Sequence, residues 1–237
     1  MITCVSRPEP LADLRVLPAR QSLADQALEA LRSAIVTGGL EPGTHLSEVR
    51  LSSTLGISRG TLREALGAIT REGLAVPDTR GRLRVPDLSA RSIRDTFEVR
   101  CALEAMAAHL AIARGDAVAT AAQLQARLQD MVNSQRRSLV EQVDADMHFH
   151  RALCQASGNA TLLESWDALA GRVRMSVLWS GEDKARRNMS PERHQAIIDA
   201  VRTADSEVVL MRIYEHFTEA VDSLIGEGVW AAVTSRD

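Results

Sequence analysis

Four side chains in the C-terminal half of the sequence could together hold a metal ion. In the segment VDADMHFHRALC, the positions Val143, Asp146, Met147, His150, Leu153 and Cys154 recur at intervals of three and four, so Asp146 and His150 lie on the apolar face of a predicted helix. His194 shares a face with Ile197, Ile198 and Val201, and His216 one with Val209, Ile213, Ala220 and Leu224. Two residues along a helix turn through about 200°, so His148 points away from His150. Any one buried histidine can be a satisfied core residue. An aspartate and three histidines turned toward one interior instead form a nitrogen-and-oxygen ligand set suited to a divalent transition metal such as zinc, nickel or manganese.

A second group of residues could grip nucleic acid. Residues 58 to 84 hold six arginines against three acids, a local net of +3 in a chain whose overall formal charge is -3. Arg59 and Arg63 stand four apart near the start of a predicted helix, on one face, where a guanidinium can take guanine O6 and N7 with two bonds. Ser58, Thr61 and the free amides of the helix start could bind phosphate. Arg80 and Arg82 sit at the tip of a predicted hairpin, within reach of the adjacent backbone or minor groove.

These residues need elements to hold them. Ser22 caps a first helical pattern that runs through Leu23, Ala27, Leu28, Leu31 and Ile35 to Gly38-Gly39. Ser47 begins a second, ended by Gly56, and Ser58 a third, with Leu62, Leu66 and Ile69 inside, stopping near Gly73. Leu74, Val76, Leu83 and Val85 then alternate about a turn at Asp78 to Gly81, the pattern of a short hairpin. Three helices followed by a hairpin describe a winged helix-turn-helix. Past Pro86, six helical segments are predicted near 90–114, 117–134, 138–156, 160–179, 190–203 and 205–225, with the polar stretch Gly181 to Ser190 as a break. The expected fold is mainly α: a loose arm over 1–20, a DNA-binding unit over 21–87, an all-helical bundle over 88–228 and a tail over 229–237.

Composition narrows the function. With 237 residues, 45% of them hydrophobic, the chain can bury a sizeable core. No apolar stretch approaches the ~20 residues of a membrane span, and Glu9 and Asp13 break any signal pattern, so a cytoplasmic protein without a membrane partner is expected. Cys4, Cys101 and Cys154 are odd in number and far apart, which suggests small buried residues rather than disulfides.

The stretch GGLEPGTHLSEVRLSSTLGISRGTLREALGAITREGLAVPDTRGRLRV, residues 38 to 85, resembles the N-terminal domain of the GntR family of bacterial transcription regulators. The resemblance places Ser58, Arg59, Gly60 and Arg63 at the operator-contacting start of the recognition helix and Gly81 at the wing glycine. Val49 stands where many relatives carry a DNA-contacting arginine, with Arg50 beside it, and Gly60 replaces a commoner Thr or Pro, so no base preference carries over. Residues 89 to 226 resemble the FCD ligand-binding domain of FadR-type members: Asp146-x-x-Phe149-His150, then Ser157-Gly158-Asn159, then His194 and His216 fill the family's four metal positions. Six helices in place of seven look like the VanR-type branch. The resemblance implies a homodimer on near-palindromic double-stranded operator DNA, controlled by a small carboxylate, a sugar acid or organic acid, held at the metal. Arg100 matches an arginine that relatives often point into the cavity, and Arg174 is a second candidate. The alternative is a metal-dependent hydrolase, since His148-Phe149-His150 resembles the HxH of amidohydrolases; its helical setting, the absence of HExxH and the lack of a separate general base speak against it.

Overall fold

The computed structural model describes residues 22–226, so the expected arm, the tail and Cys4 lie outside the described residues. Each predicted helix start in the front unit rests on a side-chain cap. Helix α1 (Leu23–Val36) begins with a capping box: Ser22 Oγ accepts from the Asp25 amide while the Asp25 carboxylate accepts from the Ser22 amide. Helix α2 (Glu48–Leu55) is capped by Ser47 and ends at Gly56, whose φ of 65° is the left-handed conformation that glycine adopts without strain. Helix α3 (Arg59–Arg71) is capped by Ser58.

The wing is shorter than the sequence pattern suggests. Strands β1 (Val76–Pro77) and β2 (Leu83–Arg84) pair antiparallel, with Val76 opposite Arg84 and Pro77 opposite Leu83. Asp78 organises the tip, its Oδ1 accepting from the Arg80 and Arg82 amides. The other edge of β2 is covered by the extended stretch after Gly43: the Leu46 amide donates to the Leu83 carbonyl and the Val85 amide to that of Thr44.

Seven helices follow: α4 (Ala90–Ala113), α5 (Ala117–Ser134), α6 (Leu139–Ala156), α7 (Ala160–Trp179), α8 (Glu182–Asn188), α9 (Pro191–Arg202) and α10 (Ser206–Ile225). The short α8 lies in the polar stretch expected as a break. The sequence count of six, and with it the reason for the six-helix branch, is therefore corrected to seven among the described residues. Helix α8 reads EDKARRN and buries only Ala185 and Asn188, so it has no apolar periodicity to reveal it; acids in its first turn and arginines in its last favour the helix electrostatically. Among the described residues, no helix is long and apolar enough to cross a membrane.

Two hydrophobic cores result. The bundle is built around Phe97, Phe149, Leu153, Ile197, Ile213 and Phe217, with the thiols of Cys101 and Cys154 packed as small apolar groups. The front unit is built around Leu31, Ile35, Leu62, Leu66, Ile69 and Val85. Two residues link them among the described residues: Met175 of α7 is fully buried in the front core, and Leu88 packs against both cores.

Candidate metal centre and nucleic-acid interface

Helices α6, α9 and α10 bring the three predicted histidines together. One ring nitrogen each from His150, His194 and His216 lies within 4.8 Å of the others, and all three residues are buried. Asp146 joins them from one turn below His150: its Oδ1 is 3.0 Å from His194 Nε2 and 4.0 Å from His150 Nε2. His148 is exposed on the opposite face of α6, so the HxH pair cannot share an ion.

The hydrogen bonds around the cluster fix which ring nitrogens carry lone pairs. His194 Nδ1 lies 2.9 Å from the Ser190 carbonyl oxygen, which only accepts, so Nδ1 is the donor. His150 Nδ1 lies 2.6 Å from Glu104 Oε2 and donates to that carboxylate. In the neutral rings both Nε2 atoms are then acceptors, yet they face each other at 3.1 Å with Asp146 Oδ1 beside them. His216 adds a buried Nδ1 with no hydrogen-bond partner. Acceptors converging on one point in a dry interior repel unless a proton or cation lies among them. The donor set therefore fits a metal ion, which these three histidines could hold.

Electrostatics keep the ligands ready. Burial lowers the His150 imidazole against the pull of Glu104, and burial together with His194 and His150 holds His216 well below the ordinary value of 6.5. Burial works to raise the Glu104 and Asp146 carboxyls. The histidine and Arg100 charges around them outweigh it, with the His150 and Trp166 hydrogen bonds to Glu104 and the close approach of His194 to Asp146, and both are held at about 2.

Glu104 is the residue that sequence reasoning missed. It is fully buried on α4 and accepts three bonds, from His150 Nδ1, from Arg100 Nε at 2.8 Å and from Trp166 Nε1 at 2.9 Å. It orients the His150 ring, as an outer carboxylate does in many metal sites. The signal was its place on the face of Phe97, Cys101 and Ala108, where an acid is out of keeping.

The two predicted effector arginines part company. Arg100 is buried beside the cluster, its guanidinium carbon 5.0 Å from the Phe217 ring centroid, and its Nη2 has no partner. Arg174 is elsewhere: it pairs with Asp144 at 2.9 Å and lines a groove between α3 and helices α6 and α7. The structure thus brings Arg100, the first of the two candidates, beside the histidines and puts Arg174 in the groove. Ala170 and Gly171 line the same groove one turn earlier on α7, and the arginine continues that face rather than the one turned to the cluster.

On the front unit, Ser58 Oγ accepts from the Thr61 amide and lies 2.9 Å from Thr61 Oγ1, so both hydroxyls frame the start of α3. Arg59, Gly60 and Arg63 are exposed there, and Arg63 Nε pairs with Glu48 Oε2 of α2 at 2.9 Å. At the wing, Arg80 and Gly81 are exposed, Gly81 with φ 75°, while the Arg82 guanidinium is paired with Asp78 at 2.8 Å.

The FCD domain family matches residues 95–219, more than half of the chain, and the family described as bacterial regulatory proteins, gntR family, matches residues 23–85. The chain belongs to the GntR family. This GntR-family protein is 31% identical over 189 residues to the Nta operon transcriptional regulator of Aminobacter aminovorans, covering 78% of this chain and 88% of that one. It is 25% identical to the gluconate operon transcriptional repressor of Bacillus licheniformis, covering 84% and 83%. The solved structure of Escherichia coli McbR/YncC shares the fold, with a TM-score of 0.63, 23% identity and coverage of 86% and 97%. GntR-family members with an FCD domain are DNA-binding transcription regulators and not enzymes, which sets the hydrolase alternative aside.

Proposed function

We propose that this GntR-family protein is a ligand-responsive regulator that binds a near-palindromic operator as a homodimer, with DNA affinity set by a small carboxylate held at a divalent transition metal. Residues 21–87 form the reading head and residues 88–228 the sensing bundle. The observation that carries the reading is the convergence of His150 Nε2, His194 Nε2 and Asp146 Oδ1 beside the buried His216 ring, one nitrogen of which lies within 4.8 Å of the other two imidazoles. Three imidazoles and one carboxylate oxygen suit zinc, nickel or manganese. A divalent ion held there by His150, His194, His216 and Asp146 would attract a carboxylate as a Lewis acid. Arg100 Nη2, buried and unpartnered, is the donor available to a second carboxylate oxygen. A relative named for a gluconate operon is consistent with a sugar acid or organic acid as effector.

The reading head would place the start of α3 in the major groove. Arg59 and Arg63 would face bases, Ser58, Gly60 and Thr61 phosphate, and Arg80, Gly81 and Arg82 the flanking backbone. Along α4, Val99, Leu103, Met106 and Leu110 recur at the four-three-four spacing of a helix seam, with Val99 and Met106 both 51% exposed, which supports pairing with a second copy.

The test is the double variant His194→Ala/His216→Ala. Elemental analysis is expected to show a bound divalent metal in the unaltered protein and most of it lost in the variant. Thermal shifts by a panel of sugar and hydroxy acids should vanish, while affinity for a promoter fragment adjoining the protein's own gene is retained. Equal metal content in both proteins overturns the assignment.

A further inference from the structure

The metal centre and the reading head are joined through one helix. Trp166 of α7 is buried, and its indole N–H donates to Glu104 Oε1, the same carboxylate whose Oε2 holds His150. Little more than a turn farther along, Gly171 lies flat against the turn that ends α3. A Cβ at Gly171 would stand 1.9 Å from the Glu72 carbonyl oxygen and 2.9 Å from Leu74 N. From the other side, a Cβ at Gly73 would stand 2.5 Å from the Ala168 carbonyl oxygen. Another turn on, Met175 is fully buried in the front core. Backbone packed on backbone leaves no side chains to absorb a displacement, so a shift of α7 must move the end of α3 with it. The same helix is tied to α6, which carries Asp146 and His150, by the Arg151–Asp167 and Arg174–Asp144 pairs. Trp166 also lines the groove of about 430 Å³ between the two units, with Ala68 and Leu74 of the front unit on the same lining.

We infer that Trp166 is a positioning residue of the regulatory response: through Glu104 it registers how His150 is held, and α7 passes that on to the recognition helix at the Gly171–Gly73 contact. The inference rests on the metal reading above and names the route by which that site acts. A cation taken by His150 Nε2 would add positive charge to the ring that Glu104 holds through Nδ1. Glu104 then shares its charge differently between His150, Arg100 and Trp166, and the indole N–H is the donor among these carried by α7, whose Gly171 packs backbone to backbone on the turn that ends α3.

The test uses the full-length protein and nickel ion alone as probe, with amide hydrogen exchange followed over residues 72–76. In the unaltered protein, nickel is expected to change exchange in this segment by at least about fivefold, the lower end of ordinary coupling factors. In Trp166→Phe, which keeps a ring and loses the N–H, nickel affinity by calorimetry should stay within about threefold while the exchange change disappears, since about 0.6 kcal/mol separates affinities that differ so little. An unchanged segment in the nickel-loaded unaltered protein, or an equal change in the variant, overturns the route. Should Trp166→Phe not fold, Gly171→Ala decides: it is expected to alter exchange over 72–76 without nickel and leave nickel affinity intact, and an unaltered segment refutes the contact's role. Failure of the unaltered protein to bind nickel, zinc or manganese refutes the metal reading and removes the route with it.

Discussion

Arg63, on the exposed start of the recognition helix, is paired with Glu48 at the start of α2, Nε to Oε2 at 2.9 Å. The Arg63 side chain is largely in solvent and that of Glu48 is partly so, and a pair at such a surface adds little to stability and opens at little cost. Arg63→Ala is expected to weaken binding to the promoter fragment by about 1–3 kcal/mol and to relax preference at one base pair, with the melting temperature unchanged. Anisotropy titrations against that fragment and a scrambled one check this. A loss of the same size on both would place Arg63 on phosphate.

Glu104→Gln replaces a carboxylate that receives His150, Arg100 and Trp166 with a neutral amide. Divalent metal affinity is expected to fall about 10–100-fold, as it does when an outer carboxylate is lost. Competition with a chelating dye measures it, and circular dichroism should show the helices intact. Unaltered affinity would mean that His150 is oriented without help from Glu104.

Acid should destabilise the metal-free protein from near neutrality. His216 and His150 are held below the ordinary 6.5 by burial, so between 6.5 and their folded values the unfolded chain binds more protons than the folded one. Stability from keeping these rings neutral is complete above 6.5 and declines as pH falls below it. Urea midpoints measured from about pH 7.5 to about pH 5 are expected to drop, and His216→Phe should flatten the slope. An identical slope in the variant would acquit His216.

Gly73→Ala puts a methyl group into a left-handed residue, φ 72°, and against the Ala168 carbonyl. The backbone conformation alone costs about 1–2 kcal/mol, and the collision adds to it. Urea denaturation checks this, with Gly43→Ala, also left-handed at φ 83° but with open space around its would-be Cβ, as the reference. Equal losses at the two positions would mean that the α7 contact yields easily.

Arg100→Lys keeps a cation near Glu104 and loses the second donor that the guanidinium leaves unpartnered. Metal content is expected to persist while thermal shifts by carboxylates shrink. Shifts as large as those of the unaltered protein would remove Arg100 from effector binding.

Much of the architecture was legible because caps and apolar spacing agree. Ser22, Ser47 and Ser58 each cap the helix predicted to follow them, and Gly56 ends α2 in the left-handed conformation. The histidines were legible through the company they keep, each among aliphatic residues at helical spacing. Helix α8 was hidden because it buries only Ala185 and Asn188 and is held by its neighbours rather than by an apolar stripe. Glu104 was hidden by its spacing from Arg100, which reads as an ordinary surface pair until both are found buried. Arg174 shows the opposite limit: the sequence places it on α7, but only the packing shows that its face of the helix meets the front unit.

Met175 has a consequence for engineering. The hydrophobic interior beneath the recognition helix is completed by a side chain borrowed from the seventh helix, more than a hundred residues downstream of the recognition helix's own start. A graft that joins this reading head to a foreign sensor at the Pro86 junction would leave a methionine-sized void, and a working chimera has to bring a compatible α7 with it.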